Sequence, residues 1–403
     1  MGYDMADKLK IAIIGGGIGG LATAAALRDS GHEICVYEQA DQFREIGAGV
    51  TLHPNATRLL EKLGFGHALR KIGSPTAGVR LMTATGDPIE TGAPRGGAPL
   101  SDTGHGYNVH RAEFLDILVN ALPSSGFKLG HRCADLVADN DRITLTFENG
   151  ASATSDLVIG ADGIRSVVRQ RLGLDTPAAS EGVMAYRGMV PVEKLPWAKD
   201  AQGLYLWMGA GRSFLCYPVS AETVINIVAF VPTDRDSAES WSALGDLSVL
   251  AAEYRGWDDR VRQTIAALSE TYVWGIYDRP ALQRWTSGHT ILIGDAAHPM
   301  VPHLGQGAGQ AIEDAYTLGV LLKGTSKDTL PDRLASYERL RRDHTARVQA
   351  VARQAGRFYR TEFLHSGELD ATMGTWMKEV RWILEHDADA AAVSELERSR
   401  THR

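Results

Sequence analysis

Residues 15–20 read Gly-Gly-Gly-Ile-Gly-Gly, which puts Gly15, Gly17 and Gly20 at the three glycine positions of a G-x-G-x-x-G turn. The chemistry such a turn supports is the holding of a pyrophosphate. Its first glycine permits a tight turn, the second lets the backbone approach the phosphates, and the third lets helix and strand pack closely. The free N–H groups and positive dipole end of the helix that follows favour the anion. Glu38 stands 23 residues beyond Gly15. An acid at that spacing accepts hydrogen bonds from a ribose 2′-hydroxyl and repels a 2′-phosphate. The Gly-Ala-Gly at 209–211 is no second turn of this kind, since Arg212 follows it and no strand–helix–strand texture surrounds it. The chain therefore reads as holding one dinucleotide, whose identity this motif leaves open.

The turn works only between a strand and a helix, and the flanking sequence supplies both. Residues 9–14 are an Ile-rich apolar run, 21–30 an Ala/Leu-rich helix stopped by Gly31, and 33–38 a second strand. This βαβ unit predicts a parallel sheet with the glycines at the carboxyl end of its first strand. Helices are predicted over 52–72 and 108–122, and strands at 142–150 and 157–163. Residues 180–280 change texture, with short aromatic-rich strand candidates that predict a mainly antiparallel sheet inserted into the first unit. The run 289–298 returns to the strand-then-glycine texture. Helices follow at 307–323, 331–363 and 370–387, the last with Trp376 and Trp382.

Composition bounds the rest. The 403 residues carry a net charge of -7 and no basic run, which argues against a nucleic-acid partner. Cys35, Cys133 and Cys216 form no CxxC pair and read as free thiols in a reducing compartment. No apolar run is long enough to span a bilayer, the N-terminus is too polar for a signal peptide, and Ala6 breaks the acylation pattern that Gly2 would start. A cytoplasmic enzyme without a membrane partner is expected, as monomer or homodimer.

Two further segments decide the cofactor. Residues 157–169 read LVIGADGIRSVVR, and residues 294–310 read GDAAHPMVPHLGQGAGQ, ahead of AIEDA. With the glycine turn they resemble, in order, the three signatures of the class A flavoprotein monooxygenases, the para-hydroxybenzoate hydroxylase-like superfamily. The resemblance implies an α/β fold: a Rossmann-like FAD-binding domain (8–73, 105–178 and 285–330), an inserted antiparallel-sheet substrate domain (74–104 and 179–284) and a C-terminal helical segment (331–403). It implies FAD as cofactor, NADH or NADPH as co-substrate, and dioxygen as the source of the oxygen atom. It assigns Arg111 in HRAEF, Gln39, Val50, Asp162 and Asp295 to the cofactor. Pro302, Gly305, Gly307 and Ala308 belong to a loop whose N–H groups would face the flavin. Gly309 replaces an Asn common in the family, a change that salicylate hydroxylase-like members share.

The activity implied is hydroxylation of a small phenolic or heteroaromatic acid. His303 is the candidate base for a ring hydroxyl, and Tyr217 matches a tyrosine that such enzymes place around the ring. Arg187 and Arg212 are candidates for a carboxylate, which arginine binds bidentately. No histidine or cysteine spacing predicts a metal site. Relatives that act on 6-hydroxynicotinate offer extra histidines around the ring where Thr51 and Ser213 stand here. 3-Hydroxybenzoate 6-hydroxylase is the other substrate alternative, and a non-catalytic FAD-fold protein or a plain NADH oxidase are alternatives of another class.

Overall fold

The computed structural model describes residues 8–43, 48–76, 78–89, 104–139, 141–199, 203–234, 243–361 and 369–401. Gly2 and Ala6, and most of 74–104 beyond Ile89, lie outside them. The chain opens with β1 (Lys10–Ile14), α1 (Ile18–Leu27) and β2 (Glu33–Tyr37). Next come β3 (Gly49–Leu52), α2 (Pro54–Lys62) and α3 (Gly66–Ile72). The helix expected over 52–72 is thus two helices. Gly64 at φ +89° separates them, a conformation that costs little only in glycine. After β4 (Ser74–Pro75) and β5 (Val79–Thr83), β6 (Tyr107–His110) takes the first residues of the other expected helix, so α4 (Arg111–Asn120) starts later. β6 pairs with β3, and that pairing overrides the local helical pattern.

β7 (Phe127–Lys128), β8 (Cys133–Asp139), β9 (Arg142–Phe147), β10 (Ser152–Ser155), β11 (Leu157–Gly160) and α5 (Val167–Arg171) follow. The aromatic-rich stretch gives β12 (Ala179–Pro191), β13 (Leu204–Gly209), β14 (Arg212–Val219), β15 (Val224–Pro232), β16 (Ala243–Leu244), α6 (Leu247–Glu253), α7 (Asp259–Ala266) and β17 (Tyr272–Asp278). The chain ends through β18 (Thr286–Ser287), β19 (Thr290–Leu292), α8 (Gly307–Leu322), α9 (Leu330–Tyr359), α10 (Leu369–Glu385) and α11 (Ala388–Thr401). α5, α6 and α7 have no counterpart in the expectations above, and α11 lies within the expected C-terminal helical segment. No helix of the described residues is long and apolar enough to cross a membrane.

A six-stranded sheet runs β18-β19-β11-β1-β2-β7, parallel except at the β18–β19 hairpin. Connections leave β1 in both directions, which opens a crevice at its carboxyl end. A second sheet runs β16-β17-β12-β15-β14-β13-β5 and is antiparallel except between β13 and β5. α8 packs against α1 so closely that a Cβ at Gly319 would lie 2.8 Å from the Ala26 methyl.

Beneath this helix pair lies a buried charge network. Glu313 and Asp314 of α8 are fully buried, and Arg341 of α9 is 1% exposed. Arg341 donates through Nε to Asp314 (2.7 Å), through one terminal nitrogen to Glu313 (2.5 Å), and through the other to the Gln310 side chain (2.8 Å). Asp314 also accepts from the Gly294 N–H (2.9 Å) and contacts His298 Nε2 (2.6 Å). Burial alone would raise both carboxyls. The Arg341 and His386 charges hold Glu313 well below its usual range, and His298 and Arg341 lower Asp314. Removing one partner strands a buried charge, which costs about 3–5 kcal/mol. Arg341→Met is therefore expected to lose about that much stability in urea denaturation at pH 7. A loss below about 1 kcal/mol would show that the network does not support the fold.

Candidate active site

The glycine turn divides its labour as the spacing suggests. Gly15 sits at φ +108°, and a Cβ there would lie 2.3 Å from the Ala161 carbonyl oxygen. A Cβ on Gly20 would lie 1.9 Å from the Gly15 carbonyl oxygen, so both glycines serve close packing. Gly17 differs, since nothing lies within 4 Å of the space its Cβ would take. It precedes α1 without a side-chain cap and lines a cavity, so the helix amides stay open to an anion. Glu38 directly follows β2 and accepts from the N–H groups of Gly16 (2.6 Å) and Ala40 (2.8 Å), which clamps the turn to the sheet. Gln39 beside it is exposed, and neither residue lines the cavity.

That cavity, of about 960 Å³, lies between the crevice and the seven-stranded sheet. Gly17, Val50, Arg111, Asp295, Pro302, Gly305, Gly307 and Ala308 line one wall. Asp295 extends into it from the turn after β19. Its side chain is open to the cavity, yet desolvation by the protein around it raises its carboxyl, and the charges of His298, Arg111 and Arg169 partly counter that. Asp162 does not reach the cavity. It accepts from the Ser166 hydroxyl (2.5 Å) and the Val168 N–H (3.1 Å), holding the turn before α5, and burial raises its carboxyl. Arg169, also in that motif, donates to the Ile164 (2.6 Å) and Ala296 (3.1 Å) carbonyls and so locks the two motif segments together.

An elongated dinucleotide fits this wall. The uncapped N-terminus of α1 offers amides to its pyrophosphate, and the Asp295 carboxylate offers an acceptor to its hydroxyls. The N-terminus of the 16-residue helix α8, also without a side-chain cap, faces the far end through Gly307 and Ala308.

Strand register defines the opposite wall. Ser213, Leu215 and Tyr217 of β14 face the cavity side with Asn226, Val228 and Phe230 of β15, Arg187 of β12, and Leu204 and Leu206 of β13. Of the sequence candidates, His303, Tyr217 and Arg187 come together here. Arg212 does not. It alternates to the other face of β14 and pairs with Glu253 through two nitrogens, at 2.9 and 2.7 Å. Arg187, 5% exposed, lies over the rings of Trp274 and Tyr272.

Tyr217 is buried, which pushes its phenol well up, and it bonds the Thr51 side chain. Thr51 in turn donates to Asn108 Oδ1 (2.9 Å). His303 packs on Phe230 with ring centroids 4.6 Å apart, in space left by Gly356 of α9. Its Nε2 accepts from Arg360 at 3.5 Å, and burial together with the Arg360 charge lowers its imidazole to about 3. In this arrangement the Nε2 lone pair faces an arginine, so the expected role as base would require that contact to open. His53, which sequence reasoning missed, also lines the cavity. Its Nε2 lies 3.1 Å from the Leu304 carbonyl and must carry the proton, and burial lowers its imidazole to about 4.

Away from the cavity, Glu313, His344 and His386 bring ligand atoms within 4.8 Å of one another, a grouping no sequence spacing signalled. Arg341 already takes the Glu313 oxygen that a cation would need.

The fold and this site define an FAD-dependent monooxygenase that hydroxylates aromatic rings. The family model described as FAD binding domain matches residues 8–353, and the chain belongs to that family. It is 36% identical to a 3-amino-4-hydroxybenzoate 2-monooxygenase of Streptomyces platensis, over 86% of this chain and 87% of the relative. It is 32% identical to a salicylate hydroxylase of Pseudomonas putida, over 94% and 93%. The solved structure of a salicylate hydroxylase substrate complex superposes with a TM-score of 0.79 at 27% identity, covering 96% of this chain and 98% of that one.

Two measurements follow from this geometry. Gly17→Ala has room for its Cβ in the FAD-free protein but intrudes on the anion site. It should therefore keep its stability within about 1 kcal/mol while FAD affinity falls at least about tenfold. Equal FAD binding in a fluorescence titration would remove Gly17 from the site. His53 and His303 stay neutral in the fold and gain protons on unfolding, since their folded values lie below the ordinary ~6.5. Their contribution is complete above about pH 6.5 and is lost as pH falls toward 4 and 3. The unfolding midpoint should drop between pH 6.5 and 4.5, and His53→Gln should make that drop shallower; an identical slope in the variant would contradict the assignment.

Proposed function

We propose that the chain hydroxylates a single-ring phenolic carboxylic acid in the manner of salicylate hydroxylase, using NADH or NADPH and dioxygen. One observation carries this reading. The sheet wall is apolar at Leu204, Leu206, Leu215, Val228 and Phe230, yet it presents one buried cation, Arg187, and a polar corner at Tyr217 and Asn226. Such a wall suits a flat ring bearing one anionic and one neutral polar group. The names of the relatives point the same way. We read the six-stranded layer with its helices as the FAD part and the seven-stranded sheet as the substrate part, close to the divisions expected from sequence.

When bound, FAD takes electrons from the nicotinamide and supplies the activated oxygen. The protein's share is position and dryness. Asp295, Arg111 and the amides of Gly17, Gly307 and Ala308 hold the cofactor. Arg187 takes the carboxylate, and the leucines and Val228 support the ring. Tyr217 positions the ring hydroxyl and keeps its own proton. His303, as a neutral imidazole against Phe230, closes the wall against water, which protects the activated oxygen.

The test is NADH consumption by the FAD-loaded protein against salicylate, hydroxybenzoates, amino-hydroxybenzoates and hydroxypyridine carboxylates, with products identified by mass. One acid should stimulate NADH use and gain one oxygen atom; stimulation by none would withdraw the substrate class. With that acid, His303→Ala should lower product formed per NADH severalfold while FAD stays bound. The pH profile of coupling should keep its shape between pH 6 and 9, because an imidazole that ionises near 3 sets no limb there. A lost limb would restore His303 as the base.

A further inference from the structure

Asn226 lies on β15, 2% exposed, and lines the cavity. Its Oδ1 accepts the N–H of Gly49, the first residue of β3, at 2.8 Å. An N–H can only donate, so the amide orientation is settled: oxygen toward Gly49, nitrogen away from it. The Nδ2 group has no hydrogen-bond partner among the described residues. A buried amide donor left without an acceptor costs free energy, roughly 1–3 kcal/mol, and asks for a ligand. The approach is tight, since a Cβ on Gly49 would lie 2.6 Å from the Asn226 amide carbon and 2.8 Å from the Tyr217 ring. Glycine at 49 is what lets β3 meet these two side chains.

Tyr217 is the register partner of Asn226 on β14. Its hydroxyl lies beside Thr51 and lines the cavity, and a phenol oxygen accepts as well as donates. The corner therefore presents a donor beside an acceptor. A hydroxyl satisfies both, donating to Tyr217 and accepting from Asn226. Arg187 pairs in register with Val228, two positions along β15 from Asn226 on the same face. Diagonal neighbours on a sheet face lie roughly 7–8 Å apart, the span of a benzene ring with its substituents.

We propose that Asn226 is a specificity-determining residue: its side-chain N–H, with the Tyr217 oxygen beside it, holds the ring hydroxyl of a substrate whose carboxylate lies at Arg187 and whose ring rests on Val228. This rests on the aromatic-acid reading above. Donation of the hydroxyl proton toward Tyr217 also raises electron density on the ring at the positions oxygenated.

Asn226→Asp separates the two halves of the side chain, since it keeps an acceptor for Gly49 and deletes the donor. Asn226→Ser deletes the donor without adding charge. Salicylate, 4-hydroxybenzoate, 3-amino-4-hydroxybenzoate and benzoate are titrated into each FAD-loaded protein, and binding is read from the flavin absorption. The wild type should bind its preferred hydroxy acid at least about tenfold more tightly than benzoate. In both variants that ratio should shrink to about threefold or less, whereas a merely structural role would weaken both ligands alike and keep it. An unchanged ratio overturns the proposal. Loss of FAD from both variants also overturns it, because the donor would then serve the cofactor. If the wild type binds none of the acids, the aromatic-acid reading itself fails and takes this proposal with it.

Discussion

The Arg341 guanidinium between Glu313 and Asp314 is the interaction on which the rest of the site hangs. Two carboxylates on consecutive residues of a buried helix are tolerable only if cations and N–H groups surround them. Arg341 meets both, and the remaining acceptor positions are taken by the Gly294 N–H, His298, His386 and Asn55 Nδ2. These partners come from the turn after β19, from α2 and from the link between α10 and α11. One network thus fixes the start of the Asp295 turn and the body of α8, whose first residues reach the cavity. Burial raises the cost of every unpaired member, so the cluster holds its geometry as a unit.

The two walls of the cavity obey different constraints. The wall at the crevice is made largely of backbone. Glycines allow close approach, helix amides are left uncapped, and side chains such as Glu38, Asp162 and Arg169 spend their hydrogen bonds on holding turns in place. That division explains why several motif residues never touch the cavity yet belong to the site. The sheet wall is made of side chains from alternate positions of four strands, and its polar groups are few. Burial pushes the Tyr217 phenol up and the His53 and His303 imidazoles down, so all three are neutral near pH 7. A neutral, dry wall suits the handling of a reactive oxygen donor better than a charged one.

His303 and Arg212 show where residue chemistry misleads without geometry. Histidine beside a cofactor loop suggests a base, but basicity belongs to the environment, and here Arg360 and burial lower it. Arg212 and Tyr217 are five positions apart on one strand, an odd separation that puts them on opposite faces. That signal was present in the sequence. It becomes usable once 212–219 is known to be a single uninterrupted strand.

The sequence by itself determined the βαβ unit, the glycine turn and the order of the three motifs. Each is a local demand: a positive φ at Gly15, an apolar run for a buried strand, an uncapped helix start. The antiparallel sheet was also legible, since alternation and aromatic content report on a half-buried pleated surface. Only the tertiary structure decided which residues face one another across the cavity. Gly49 and Asn226 are 177 positions apart, and Asn55 and Glu313 are 258 apart. No periodicity links such pairs. The helix at 108–110 was lost to a strand because pairing with β3 outweighs local propensity. Protonation, partner choice and access to the cavity depend on burial and on distant neighbours, and those exist only once the chain has folded.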